Sequence, residues 1–220
     1  MNFEFREHLA VFGGSFNPPH LGHLDAVDGI LKNPGVKKVI IMPSYGNPLK
    51  PNITSFDERF EMAKLNFLGF EVSTFERDHQ SASTFELLSK IQALAGEDRV
   101  AFAIGTDQFE TFESWVNFPA VLSLSDWIVL LRKPQRLNDC GPTLQKFLSA
   151  NILRPTRDPY RFEIGLGPSK RLLQFVETDA PDTSSTLIRE KFALGKIQDI
   201  KKYLKSDVLN YIERKSLYGT

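Results

Sequence analysis

Residues 13–23, GGSFNPPHLGH, place a glycine pair, a proline pair and two histidines directly after the apolar run LAVF. Gly13 and Gly14 carry no Cβ, so a ligand can touch the backbone there. A helix that starts just beyond them presents free N–H groups and the positive end of its dipole, which together favour an anion. His20 and His23 are three apart and share one face if both are helical. Two imidazoles at that place can donate hydrogen bonds to phosphate oxygens. Pro18 and Pro19 stiffen the approach. A glycine pair alone reads as an ordinary turn, and a lone histidine as a surface or core group. The joint spacing behind a strand is what favours chemistry.

Two further stretches suit the same ligand. SSTLIR, residues 184–189, sets the hydroxyls of Ser184, Ser185 and Thr186 at a helix start, with Arg189 one turn on. Dipole, hydroxyls and a forked cation make an anion clamp. The plain alternative is N-capping by a serine beside a surface arginine. GTDQF, residues 105–109, follows another apolar run. Asp107 there can accept from ribose hydroxyls or hold a metal through water, and it can equally cap a helix. Lys50, in the stiff stretch NPLKP, and Trp115 have bland readings of their own, a solvated lysine and a core aromatic. His8 and His79 receive no role. No serine–histidine–aspartate order carries a nucleophile, and no cysteine–histidine cluster suggests a metal site.

These residues need a scaffold, and the hydrophobic pattern supplies one. HLAVFGG, KKVIIMP, FEVSTF, RVAFAIG and WIVLLRK read as five strands, and LQFVET as a short sixth. Helices are expected from about Leu21 to Leu31, behind the capping box Ser55 to Glu58, behind the box Ser83 to Glu86, and from SSTLIREKFALG. A last one spans about residues 206–215. The strands are near-continuous apolar runs, as in parallel sheets covered on both faces. Alternation of strand and helix predicts an α/β, Rossmann-like, doubly wound parallel sheet. We expect one domain over residues 1–220, with a helical C-terminal part from about residue 184. In such a sheet strands one and four flank the switch point where ligands bind, so GGSF and GTDQ open into one crevice. Residues 132–169 read as long connections around one helix near Leu144 to Leu148.

Composition sets the bounds. The 220 residues are 41% hydrophobic and include 18 phenylalanines, enough for a bulky core. Lys plus Arg equals Asp plus Glu at 27 each, so no global field draws the chain to nucleic acid or membranes. The single cysteine, Cys140, fits a reducing compartment. No targeting segment is visible and no apolar run is long enough to span a bilayer. A cytoplasmic protein is expected, possible as a homo-oligomer.

GGSFNPPHLGH resembles the H-x-G-H signature of the nucleotidyltransferase superfamily, and more closely that of bacterial nicotinate-mononucleotide adenylyltransferases. PLKP with the following SFDERFEMAKL, GTDQFETFESW and SSTLIR are similar to that family's later motifs, in order. Asn17 stands where many bacterial members carry Asp, and Ser83 where the family has Tyr. The resemblance implies transfer of the adenylyl group of ATP to nicotinate mononucleotide, the adenylyl step of NAD synthesis, with Mg²⁺ accompanying ATP. It implies that His20, His23 and Arg189 surround the ATP phosphates. It implies ATP contacts at Gly13, Gly14, Ser15, Phe16, Asp107, Ser184, Ser185 and Thr186. For the mononucleotide it implies Ser15, Phe16, Lys50, Thr84 and Trp115, with Trp115 stacking on the pyridine ring. The alternatives are a nicotinamide-mononucleotide or other small-molecule nucleotidyltransferase, and a non-catalytic nucleotide-binding regulatory protein. Presence of His20, His23 and Arg189 together argues against the last.

Overall fold

A computed structural model describes residues 9–33, 35–45, 54–95, 99–168, 170–179 and 183–219. Its first half alternates strand and helix: Leu9–Gly14 (β1), Leu21–Leu31 (α1), Lys38–Pro43 (β2), Phe56–Asn66 (α2), Glu71–Val72 (β3), Phe75–Asp78 (α3) and Thr84–Ala95 (α4). Val100–Gly105 (β4), Thr106–Glu110 (α5) and Asp126–Arg132 (β5) follow. Then come Gly141–Ser149 (α6), Leu153–Pro155 (β6), Arg161–Ile164 (β7) and Arg171–Thr178 (β8). Ser185–Ala193 (α7), Ile197–Ile200 (α8) and Ser206–Arg214 (α9) close the described chain apart from short 3₁₀ turns.

The strands form one eight-stranded sheet in the order β3-β2-β1-β4-β5-β8-β7-β6. β1 pairs in parallel with β2 on one side and β4 on the other, with Phe12 opposite Ile41 and Ala103. The winding therefore reverses between β1 and β4, and their carboxyl ends open the crevice that a doubly wound sheet offers to ligands. β1, β2, β4 and β5 are long apolar runs because helices cover both faces. On one face Val27 and Ile30 of α1 and Ala63 of α2 meet Phe12, Ile41 and Leu130. On the other, Leu87, Leu88 and Ile91 of α4 meet Val11, Ile104 and Val129. Each such side chain contributes about 1.5–3 kcal/mol by leaving water. The phenylalanine-rich core is real: Phe102 and Phe112 lie edge-on to Trp127, and Phe109 to Phe175.

Two stretches differ from the sequence reading. FEVSTF gives only the two residues of β3, because the Ser73 hydroxyl accepts the Phe75 N–H at 3.0 Å and turns the chain into α3. Residues 132–169 hold more than a helix. α6 lies where expected, but β6 and β7 pair antiparallel and extend the sheet beyond β8, whose start is Arg171. At the other end of the chain, Ile188 and Phe192 of α7 pack with Val208 and Ile212 of α9 onto Met62 of α2. That packing sets the start of α7 beside the loop that leaves β1. Among the described residues no helix is long and apolar enough to cross a membrane.

Candidate active site

β1 delivers the glycine pair to the top of the sheet. The two glycines are needed first by the protein's own packing: a Cβ on Gly13 would lie 2.7 Å from the Phe102 ring, and one on Gly14 3.0 Å from the Phe16 ring. Phe16 turns the chain with a left-handed φ of +48° and buries its ring against Phe12 and Phe67. The loop then reaches His20, which caps α1 from an extended conformation.

The histidines are locked together at that cap. The His20 N–H donates to His23 Nδ1 at 3.1 Å, and the His20 carbonyl accepts the His23 N–H at 2.9 Å. An Nδ1 that accepts places the His23 ring proton on Nε2. The two rings lie with centroids 3.7 Å apart, and the Phe16 edge meets His23 at 5.1 Å. Burial holds the His20 pKa down at about 3, assisted by the positive charge of Arg132. Burial also holds His23 well below the imidazole range, with His20 and Arg132 adding to it. Both rings are therefore neutral donors rather than cations at neutral pH. His20 Nδ1 is buried without a hydrogen-bond partner among the described residues.

α7 closes the other wall. The Ser184 Oγ accepts the Leu187 N–H at 3.1 Å, so this serine is the N-cap. The Ser185 hydroxyl donates to the Pro18 carbonyl at 2.8 Å. Arg189 donates to the Asn17 carbonyl at 2.7 Å and to the Thr186 hydroxyl at 3.2 Å. Capping and clamping thus coexist: the serine caps, and the arginine fork grips the glycine loop.

Together these walls line a cleft of about 440 Å³. Every residue expected to touch ATP lines it: Gly13, Gly14, Ser15, Phe16, His20, His23, Asp107, Ser184, Ser185, Thr186 and Arg189. Asp107 is not a cap. Gly105 holds the cap position of α5, and the exposed Asp107 carboxylate lies 3.7 Å from the Arg132 guanidinium. A Cβ on Gly105 would collide with that carboxylate. Among the described residues Asp107 is the only acid on the lining, and no group of three or more metal-ligating side chains occurs.

The residues expected to hold the mononucleotide are not gathered so closely. Lys50 lies outside the described residues. Thr84 opens α4 and does not line the cleft; of the capping box expected beside it the Ser83 half is present, with the Glu86 N–H donating to Ser83 Oγ at 3.2 Å, while the Glu86 carboxylate accepts the Ala82 N–H, one residue earlier, at 3.0 Å. Trp115 is half-buried with its ring set edge-on to Phe112 at 4.8 Å and close to Trp127, a core contact.

Sequence reasoning missed two arginines. Arg132 ends β5 on the cleft wall. Its place at the carboxyl end of the strand beside β4 was a readable signal, by the rule already used for Asp107. Arg59 is 1% exposed and donates to three backbone carbonyls, Ser15 at 2.8 Å, Ser44 at 2.7 Å and Thr54 at 2.9 Å. In the sequence it is one more charged residue of a capped helix.

Residues 11–191 match the cytidylyltransferase-like family. A protein of Buchnera aphidicola subsp. Acyrthosiphon pisum (strain Tuc7), named a probable nicotinate-nucleotide adenylyltransferase, is 30% identical over 217 residues, covering 96% of this chain and 97% of its own. A Citrobacter koseri protein of the same name is 30% identical over 95% of this chain and 97% of its own. The fold is shared with Plasmodium falciparum nicotinic acid mononucleotide adenylyltransferase complexed with NaAD, at a TM-score of 0.74 and 18% identity, over 97% of this chain and 98% of that one. The H-x-G-H cleft at the β1–β4 switch point and these full-length matches agree that the chain belongs to the cytidylyltransferase-like family of nucleotidyltransferases.

Proposed function

We infer that the protein transfers the adenylyl group of ATP to nicotinate mononucleotide, giving nicotinate adenine dinucleotide and pyrophosphate. The observation that carries this reading is the cleft itself, where two neutral histidines and an arginine fork converge over a glycine loop.

The reaction asks little covalent chemistry of the protein. A phosphate oxygen of the mononucleotide attacks the α-phosphorus of ATP, and the bond from that phosphorus to pyrophosphate breaks. The nucleophile is already an anion and needs no base. What remains is to hold the reactants in line and stabilise the charge that grows on the leaving group. In our reading His20 and His23 donate N–H bonds to the phosphates without the cost of burying a cation. The Ser15 and Phe16 amides make no hydrogen bond among the described residues and are free to join them. Arg189 of α7 and Arg132 of β5 both line the cleft and supply positive charge. The hydroxyls of Ser184, Ser185 and Thr186 ring the same space.

Mg²⁺ fits this cleft as a companion of ATP rather than as a caged ion. A hard cation prefers oxygen and readily keeps its waters, and among the described residues Asp107 is the lining carboxylate to which such a water could bond. When bound, it would supply neutralisation of phosphate charge.

For the mononucleotide, Lys50, Thr84 and Trp115 remain our candidates, with Ser15 and Phe16 shared. The N–H groups at the start of α4 favour a carboxylate over an amide. Two or three charge-assisted bonds give a preference for the acid of roughly 10- to 150-fold in kcat/KM. The test is pyrophosphate release from ATP with nicotinate or nicotinamide mononucleotide. Turnover of the acid at least tenfold above the amide is expected. Preference for the amide would move the protein to the nicotinamide reading, and release with neither would remove the proposed reaction.

A further inference from the structure

The last described turn of the chain, residues 217–219, folds back onto the loop that follows β1. The Tyr218 hydroxyl donates to the Asn17 side-chain oxygen at 2.6 Å, across 201 positions of sequence. Asn17 is 2% exposed. Its own carbonyl is the one gripped by Arg189, and the next carbonyl, Pro18, is gripped by Ser185. The Thr54 hydroxyl bonds the same Tyr218 oxygen, and Thr54 and Ser15 both give their carbonyls to Arg59. One phenol therefore ties the phosphate loop to both of its neighbouring segments.

The backbone supports the same reading. Tyr218 sits at φ +62°, a left-handed conformation that an aromatic residue rarely adopts and that persists only where its surroundings impose it. Its ring packs toward Phe192 of α7, so the turn is anchored on the helix that carries Arg189. Burial pushes the phenol pKa up to about 12, which keeps the donating proton in place at every working pH.

We propose that Tyr218 is a positioning residue of the adenylyl-transfer site, holding Asn17 so that the glycine loop and the Arg189 fork meet the ATP phosphates in a fixed geometry. The role rests on the function inferred above, but binding of ATP tests it separately. Tyr218→Phe keeps the ring and removes the donor. Loss of one buried hydrogen bond corresponds to roughly a 3- to 10-fold change. We expect ATP affinity, measured by calorimetry, to weaken by about that factor in the folded variant, with kcat falling in parallel and the KM for the mononucleotide unmoved. Asn17→Ala should produce the same loss, and the double variant no more than Asn17→Ala alone, because both act through one contact. If Tyr218→Phe lowers only the melting temperature and leaves ATP affinity and kcat intact, the residue is structural and the proposal fails. Additive losses in the double variant would also overturn it. A wild type that binds ATP without transferring adenylate would instead sink the reaction while leaving the ATP-affinity comparison decisive for Tyr218.

Discussion

The two sides of the site are built in opposite ways. On the phosphate side, four carbonyls of one loop are each held by a side chain from elsewhere: Ser15 by Arg59, Asn17 by Arg189, Pro18 by Ser185 and His20 by Asn66. With its acceptors engaged, the loop turns N–H groups and imidazoles toward the cleft, and α1 and α7 point their starts at the same space. Among the described residues, the side we propose for the pyridine ring shows no such frame. Thr84 stands at a helix start, Trp115 leans on the aromatic core, and neither lines the cleft. A prepaid geometry of the first kind suits the charge changes common to all adenylyl transfer. The second kind suits a part of the substrate that takes no part in the bond change.

The largest effects should therefore fall on the phosphate side. His20→Ala and His23→Ala should each lower kcat by about 10²-fold or more, the scale for losing a charge-stabilising donor. The pair is not equivalent in stability. His23 also accepts the His20 amide and so caps α1, whose loss costs about 1 kcal/mol or roughly 2–4 °C in melting temperature. Near-normal turnover in either folded variant would remove that histidine from the site. Arg189→Lys comes next. It keeps the charge and loses the fork that spans Asn17 and Thr186. ATP kcat/KM should fall about 10-fold or more with little change for the mononucleotide, since bonds from charged groups are worth about 1.5–3 kcal/mol. Unchanged ATP kinetics would leave α7 with a capping role only.

A smaller and complementary effect should appear on the pyridine side. Thr84→Val should raise the KM for nicotinate mononucleotide by roughly 3- to 10-fold, the value of one hydroxyl bond, and leave ATP untouched. A shift in ATP parameters instead would erase the distinction between the two sides.

The mildest prediction concerns pH. Burial pushes the Glu76 pKa from 4.5 up to about 7, although its carboxylate accepts the Tyr45 N–H and lies near Arg59. An acid raised in the folded state keeps its proton there while the unfolded chain has already lost it. Stability contributed by this group is complete below about pH 4.5 and declines as pH rises toward about 7. Glu76→Gln should flatten that part of the stability curve, measured by denaturant unfolding between pH 4.5 and 8. A curve unchanged in slope would mean that Glu76 ionises normally.

Most of what positions the phosphate side was legible. Strands covered on both faces must be apolar along their whole length, so β1, β2, β4 and β5 announce themselves, and α1 and α7 begin at polar residues after loop signals. What stayed hidden depends on partners distant in sequence. β6 and β7 are only three and four residues long and carry charges, so β6 shows no apolar run and the alternation of RFEI in β7 is too short to stand out before its partners are known. The Arg59 carbonyl contacts and the Tyr218 contact with Asn17 exist only once the chain is folded. Asp107 was placed correctly at the crevice through topology alone, while its partner Arg132 needed the same argument carried one strand further.

Adenylyl transfer is tested most directly by where the α-phosphorus of ATP goes. Purified protein should be incubated with ATP labelled at the α-phosphate, Mg²⁺ and nicotinate mononucleotide, and the products separated. The label should appear in the dinucleotide, with unlabelled pyrophosphate formed in equal amount, and His20→Ala should suppress both together. Label left in ATP by the active-fold protein, or released as free AMP without dinucleotide, would contradict adenylyl transfer as the function of this cleft.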